Sequence, residues 1–182
     1  KLKPAVLEAS IKENPNAKAL ILNSPSNPTG AVYSREELEA LAAVCVKYNI
    51  LVLSDEIYER LVYDNTKHVS IASVSPQMKD LTVVINGVSK AYAMTGWRLG
   101  YAAGPQEIIS AAGRVQEHCS SCVNSITQKA TVTALLEEDD SIEKMRVQFE
   151  QRRNFLYDEL LKNKYLKCFK RRGAFYIMPD IS

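Results

Sequence analysis

Residues 20–53 read LILNSPSNPTGAVYSREELEALAAVCVKYNILVL, and the fold class follows from that stretch. It opens and closes on short apolar runs, Leu20-Ile21-Leu22 and Ile50-Leu51-Val52-Leu53, each ending in turn-forming or polar residues as buried strands do. Between them Ser34-x-x-Glu37 has the spacing of a capping box. Leu38, Leu41, Ala42, Cys45 and Val46 then recur on one face of a helix of about four turns. Strand, helix, strand is a right-handed βαβ unit, so the two strands are predicted to be parallel.

Outward from this unit, Leu81 to Ile85 is a third apolar run, reached through a connection containing Ser73 to Lys79, and it can also join in parallel. A fourth, Leu99-Gly100-Tyr101-Ala102-Ala103, begins about a dozen residues later, at the limit for a parallel crossover. The interval carries Gly87, Gly96 and no helical repeat, so the fourth strand is expected to run antiparallel. After Gly104-Pro105 the pattern turns helical, through Ile108, Ile109, Ala112 and Val115, then Ile126, Ala130, Val132, Ala134 and Leu135. A long helix is predicted from Asp140 to Lys162, with Ile142, Met145, Phe149, Phe155, Leu156, Leu160 and Leu161 in a charged background whose Arg152-Arg153 reads as a solvated face. Tyr165 to Lys170 and Ala174 to Met178, around Arg171-Arg172-Gly173, read as two strands opening a second, smaller α+β domain.

The chain has 182 residues, 23 Lys plus Arg against 21 Asp plus Glu, and a formal net charge of +2, which leaves no excess of positive charge for nucleic acid. Apolar runs such as Leu41 to Val46 fall far short of the roughly 20 residues that cross a bilayer, and no signal peptide is visible. Cys45, Cys119, Cys122 and Cys168 are too dispersed for a disulfide framework, so a reducing, cytoplasmic compartment is favoured. His118-Cys119-x-x-Cys122 lacks a second cysteine pair, and no metal is expected there. The sequence lacks an initial Met and closes on Met178-Pro179-Asp180-Ile181-Ser182, in what reads as the middle of a structured segment, so it is taken as part of something longer.

Ligands of open α/β sheets gather beyond the carboxyl ends of the parallel strands. Here those ends open into Asn23-Ser24-Pro25-Ser26-Asn27-Pro28-Thr29-Gly30, Ser54-Asp55-Glu56-Ile57-Tyr58 and Asn86-Gly87-Val88-Ser89-Lys90. An amide, a carboxylate, a phenol and an amine would converge on one edge. A lysine amine condenses with an aldehyde to a Schiff base, and pyridoxal phosphate is the cofactor for which such a lysine works with an acidic partner at the pyridine nitrogen. Asp55 is placed for that partner, keeping the nitrogen protonated. Tyr58 and Asn27 suit the ring hydroxyl, and Arg98 offers a planar fork of donors for a phosphate dianion.

These three motifs, the third running on as Ser89-Lys90-Ala91-Tyr92-Ala93-Met94-Thr95-Gly96-Trp97-Arg98-Leu99-Gly100-Tyr101, resemble the class I/II aminotransferases of pyridoxal-phosphate fold type I, in the aspartate aminotransferase-like branch. The resemblance runs in order to Gly173-Ala174-Phe175-Tyr176. It implies a partial cofactor-binding large domain in residues 1–138, a mostly parallel sheet with one antiparallel strand flanked by helices. Residues 139–182 would then hold a connecting long helix and the start of the small domain. It makes Lys90 the aldimine lysine and the proton shuttle, sets Asp55 at the pyridine nitrogen, Tyr58 and Asn27 at the ring oxygen, Asn27 also beside the substrate carboxylate, and Arg98 at the phosphate, with Ser89 a further phosphate candidate. Asn27-Pro28 is expected to be cis. Many relatives carry a phosphate-binding Ser where this chain has Gly87. The family's phosphate loop, stacking aromatic ring and substrate-carboxylate arginine would fall outside residues 1–182, leaving two unpaired sheet edges and a chain inactive alone.

The implied activity moves an amino group from an L-amino acid, aspartate-like or aromatic, to a 2-oxo acid, in a homodimer. Two alternatives stay open: a non-catalytic aminotransferase-like sensor domain of a transcription regulator, and another pyridoxal-phosphate reaction such as β-elimination. Taken singly, each residue has a plainer reading. Lys90 is then a surface lysine, Asp55 a helix cap and Arg98 a strand-end ion pair. Trp97 and Tyr101 read as packing residues, and His118 to Ser125 as a helix connection that approaches the partner subunit in relatives.

Overall fold

A computed structural model describes residues 1–181. Ser34 begins the organising helix as its spacing demands: its hydroxyl accepts from the Glu37 amide at 3.3 Å, and the Glu37 carboxylate accepts from the Ser34 amide at 2.8 Å. In chain order the elements are α1 (Pro4–Glu13), β1 (Ala19–Asn23), α2 (Arg35–Tyr48), β2 (Leu51–Asp55), α3 (Pro76–Asp80), β3 (Thr82–Gly87), β4 (Gly100–Ala103), α4 (Gln106–Ser120), α5 (Ser125–Glu137) and α6 (Asp139–Leu161). Helix α2 ends at Asn49, which takes the left-handed conformation an asparagine tolerates and turns the chain into β2.

The sheet order is β1-β2-β3-β4, with β1, β2 and β3 parallel and β4 antiparallel to β3. Leu38, Leu41, Ala42 and Cys45 of α2 are buried in a core with Leu22, Ile50, Val52, Ile71 and Met78, and α1 closes it through Leu7. Register brings the carboxyl ends of the parallel strands level, pairing Asn23 with Asp55 and Asp55 with Ile85. The pairing of Gly87 with Gly100 explains the missing serine, since a Cβ on Gly87 would stand 2.8 Å from the Leu99 carbonyl oxygen and 3.0 Å from the Gly100 Cα. The turn into β4 leaves no room for a side chain there.

Three sequence expectations need correcting. Residues 165–170 and 174–178 form no strands, only the single bridges Lys167 to Asp180 and Val62 to Gly173. A strand needs a ladder, and here the backbone around Gly173 spends its hydrogen bonds one at a time on Gly30, Leu61 and Tyr63. Arg153 is not on a solvated face: it is 6% exposed and clasps Asp64 with both terminal nitrogens, at 2.7 and 2.8 Å. Trp97, in the turn that precedes β4, and Tyr101, on β4 at the sheet edge, are 45% and 40% exposed rather than packed. No helix among the described residues is long and apolar enough to cross a membrane.

Candidate active site

The level strand ends bring together most of the residues singled out in the sequence. Asn23 closes β1 and holds both its neighbours: its Nδ2 donates to the Asp55 carbonyl at 3.2 Å, and its Oδ1 accepts from the Asn27 amide at 2.7 Å. Beyond it the chain passes two cis peptide bonds, Ser24-Pro25 and Asn27-Pro28. Asp55 closes β2, and its Oδ1 accepts from the Ile57 amide at 3.2 Å, so the main chain aims the carboxylate.

Three residues on, Tyr58 is 2% exposed and its hydroxyl lies 2.6 Å from that of Tyr176. Burial, then the hydrogen bond and charge of Tyr176, then the Asp55 carboxylate push the Tyr58 phenol far above its ordinary value, while the Asn27 side chain opposes them. Tyr58 therefore keeps its proton at neutral pH and is available as a donor. Lys90 follows β3 on a loop closed by three hydrogen bonds, Met94 amide to Val88 carbonyl, Ala93 amide to Lys90 carbonyl and Thr95 hydroxyl to Ser89 carbonyl. Its Nζ stands 5.8 Å from the Tyr58 ring centroid and 5.9 Å from that of Phe175.

Arg98 and Ser89 are placed differently. Arg98 is exposed, takes a left-handed backbone conformation and donates to the Thr95 carbonyl at 2.9 Å. It lines an open cavity of about 640 Å³ with Gly96, Gln116, Ser120 and Asn124, a wall to which Lys90, Asp55 and Tyr58 do not contribute. Ser89 is half-buried beside the lysine, and its carbonyl accepts from the Thr95 hydroxyl at 2.8 Å.

Two groups of side chains were not identified by sequence reasoning. Phe175 and Tyr176 reach Tyr58 from a distant part of the chain, with edge-on ring contacts at 5.3 and 5.7 Å. The sequence signal was the Gly-Ala-Phe-Tyr run itself, which carries no spacing rule that ties it to Tyr58. The buried Glu56 joins the half-buried His68 and Ser70 in a polar network behind Asp55, and the sequence hint was a carboxylate inside a strand-end motif.

A sheet that levels an amide, a carboxylate and a lysine loop at the ends of three parallel strands, with a protonated phenol between them, defines a lysine-centred α/β enzyme fold. The chain belongs to the aminotransferases of class I and II, whose sequence profile matches residues 1–182 and whose members use pyridoxal phosphate. It is 49% identical over 180 residues, 99% of this chain and 45% of the relative, to an aspartate aminotransferase of Geobacillus stearothermophilus. It is 45% identical over 183 residues to an aspartate/prephenate aminotransferase of Cereibacter sphaeroides, covering 100% of this chain and 45% of that protein. Among solved structures, the aspartate aminotransferase of Rhizobium meliloti superposes with a TM-score of 0.96 at 41% identity, over 100% of this chain and 45% of that one. The aromatic aminotransferase of Pyrococcus horikoshii superposes with a TM-score of 0.93 at 39% identity, over 98% and 48%. The chain thus spans a little under half the length of these relatives.

Proposed function

We propose that the protein carrying this chain is an aminotransferase that binds pyridoxal phosphate through Lys90 and moves an amino group from an L-amino acid, aspartate-like or aromatic, to a 2-oxo acid. The observation that carries this reading is the gathering of Lys90, Tyr58, Asn27 and Asp55 at the level ends of β1, β2 and β3. The donor set suits the cofactor: an amine for the aldehyde, an anion for the pyridine nitrogen, and a proton-bearing phenol with an amide for the ring oxygen.

When bound, the cofactor supplies an aldehyde that condenses with an amine, with loss of water, and a protonated ring that takes up an electron pair. Asp55 holds the proton on the ring nitrogen, because an opposite charge within a few ångström favours the charged form. Tyr58 donates to the ring oxygen, and its burial excludes water from that bond. The Lys90 amine would serve as the positioned base that carries the proton of the 1,3-prototropic shift. Arg98 and Ser89 would hold the phosphate, and Asn27 the substrate carboxylate.

The same reading takes the working protein as a cytoplasmic homodimer, with residues 1–138 in the large domain and 139–182 leading into the small one. The four cysteines are free, which suits a reducing compartment. The 182-residue stretch by itself is expected to be inactive, since it spans about 45% of the relatives' length. The test is incubation with pyridoxal phosphate, reduction with borohydride and peptide mapping against Lys90→Ala. Labelling confined to Lys90 supports the reading, and labelling spread over the surface lysines refutes it.

A further inference from the structure

Resting on that reading, we propose that Tyr176 is a positioning residue for Tyr58: once the cofactor is bound, the Tyr176 hydroxyl turns to donate to the Tyr58 oxygen and so leaves the Tyr58 proton free for the acidic ring oxygen. The two phenol oxygens are 2.6 Å apart, a distance at which one proton lies between them and the other must point elsewhere. Tyr58 is 2% exposed, so it has no water to turn to. If Tyr58 donated to Tyr176, the acidic oxygen of a ligand would meet a lone pair instead of a proton. With Tyr176 as donor, the two hydroxyls form a chain in which each bond polarises the next.

The backbone delivers Tyr176 to this position firmly. Gly173 donates its amide to the Gly30 carbonyl at 3.2 Å, Ala174 to Leu61 at 2.9 Å, and Tyr63 to Arg172 at 2.9 Å. The Tyr63 hydroxyl donates to the Ala174 carbonyl at 2.6 Å. Gly173 packs so closely that a Cβ there would stand 2.6 Å from the Pro25 Cβ and 2.7 Å from the Val32 Cγ2. The same segment sets Phe175 beside Tyr58 with the Lys90 Nζ near both rings. Tyr176 is thus fixed by the loop that follows β1 and by the turn that follows Tyr58, the two segments that carry Asn27 and Tyr58 themselves.

The experiment compares the pyridoxal-phosphate-loaded protein as wild type, Tyr58→Phe, Tyr176→Phe and the double variant, reading the pH midpoint of its visible absorption change, which reports the proton on the Lys90 nitrogen. A donor at the ring oxygen stabilises the anionic ring and lowers that midpoint. Tyr58→Phe is expected to raise it, and Tyr176→Phe to raise it in the same direction by about 0.5 pH unit, the worth of part of one hydrogen bond. In the Tyr58→Phe background, Tyr176→Phe is expected to add nothing. Each substitution removes one hydroxyl and keeps the ring, so folding is retained, and a thermal unfolding curve checks this. A Tyr176→Phe midpoint equal to wild type, or a shift that persists in the Tyr58→Phe background, overturns the proposal while the proposed function stands. A wild-type protein without the absorption band overturns the functional reading, and this inference with it.

Discussion

The carboxylate of Glu56 meets the Nε2 of His68 at 2.9 Å, one residue after Asp55 and on the side of the chain turned away from solvent. The other Glu56 oxygen accepts from the hydroxyls of Ser54 at 2.8 Å and Ser70 at 2.6 Å, so this network ties the end of β2 to the loop that leads into α3. Burial by itself would raise the Glu56 carboxyl, but the bonds from His68, Ser70 and Ser54 outweigh it and hold the group below its ordinary value of 4.5. A carboxylate depressed in the folded state adds stability that is present above the unfolded value and lost as pH falls through the folded one. Glu56→Gln is therefore expected to cost on the order of 1.5 kcal/mol at neutral pH, the scale of a hydrogen bond to a charged group, with the gap to wild type narrowing as the pH drops below about 4.5. Urea unfolding of both proteins across that range checks it, and a gap that stays constant in acid would refute the assignment.

Arg153 anchors α6 in the same way that Glu56 anchors β2. Its guanidinium grips Asp64 with two bonds, donates a third to the Arg171 carbonyl at 2.7 Å, and lies 5.0 Å from the Tyr63 ring centroid. The hydrogen bonds from Arg153 hold the Asp64 carboxyl below its ordinary value. Arg153→Ala is expected to lose about 1–3 kcal/mol, since it removes a buried side chain together with its bonds to Asp64 and the Arg171 carbonyl and leaves a cavity. Arg153→Lys is expected to recover less than half of that, because an ammonium cannot form the fork. Equal stability of the lysine variant and wild type in denaturant titration would show that charge alone matters here.

Arg153 also marks the limit of what the sequence tells. Its neighbours Arg152 and Gln151 are exposed, and nothing in a run of charges distinguishes the one that turns inward to meet a residue 89 positions away. Local rules served well where the controlling interaction is local. The Ser34 capping box, the parallel register of β1 and β2 and the short antiparallel return of β4 each follow from residues close together in the chain. The expected strands beyond Tyr165 failed because their hydrophobicity was legible and their lack of a ladder partner was not. In the site, Asp55, Tyr58, Asn27 and Lys90 were found from strand ends, whereas Tyr176 reaches Tyr58 across 118 positions without a periodic signal.

Gly173 sets how closely that distant segment approaches. A methyl group there would meet the Pro25 ring and the Val32 side chain at under 3.0 Å, and proline in a turn cannot swing aside. Gly173→Ala is expected to push residues 172–176 outward, costing about 1–3 kcal/mol by overpacking. It should also move Phe175 and Tyr176 away from Tyr58 and so reduce the selectivity of borohydride-trapped labelling at Lys90. Unchanged labelling with lowered stability would separate the packing role of Gly173 from any influence on the lysine.

Asp55→Asn removes a charge and little else. Its Oδ1 accepts from the Ile57 amide, a bond an asparagine oxygen also makes, and its backbone lies inside the β1-β2-β3 register with the carbonyl held by Asn23. The strand end should keep its shape, and trapping of pyridoxal phosphate on Lys90 should persist, because condensation with the aldehyde needs the amine and not the carboxylate. Amino-group transfer depends on a protonated ring nitrogen, which an uncharged amide does not stabilise. The variant is expected to lose transfer by a factor on the order of 100 to 1,000, the scale of one preorganised electrostatic partner. Measuring both properties on the same preparation of the full-length protein that carries this chain makes the outcome decisive. Lost transfer with retained labelling assigns the ring-nitrogen role to Asp55, and near-normal transfer would mean that another group holds that proton.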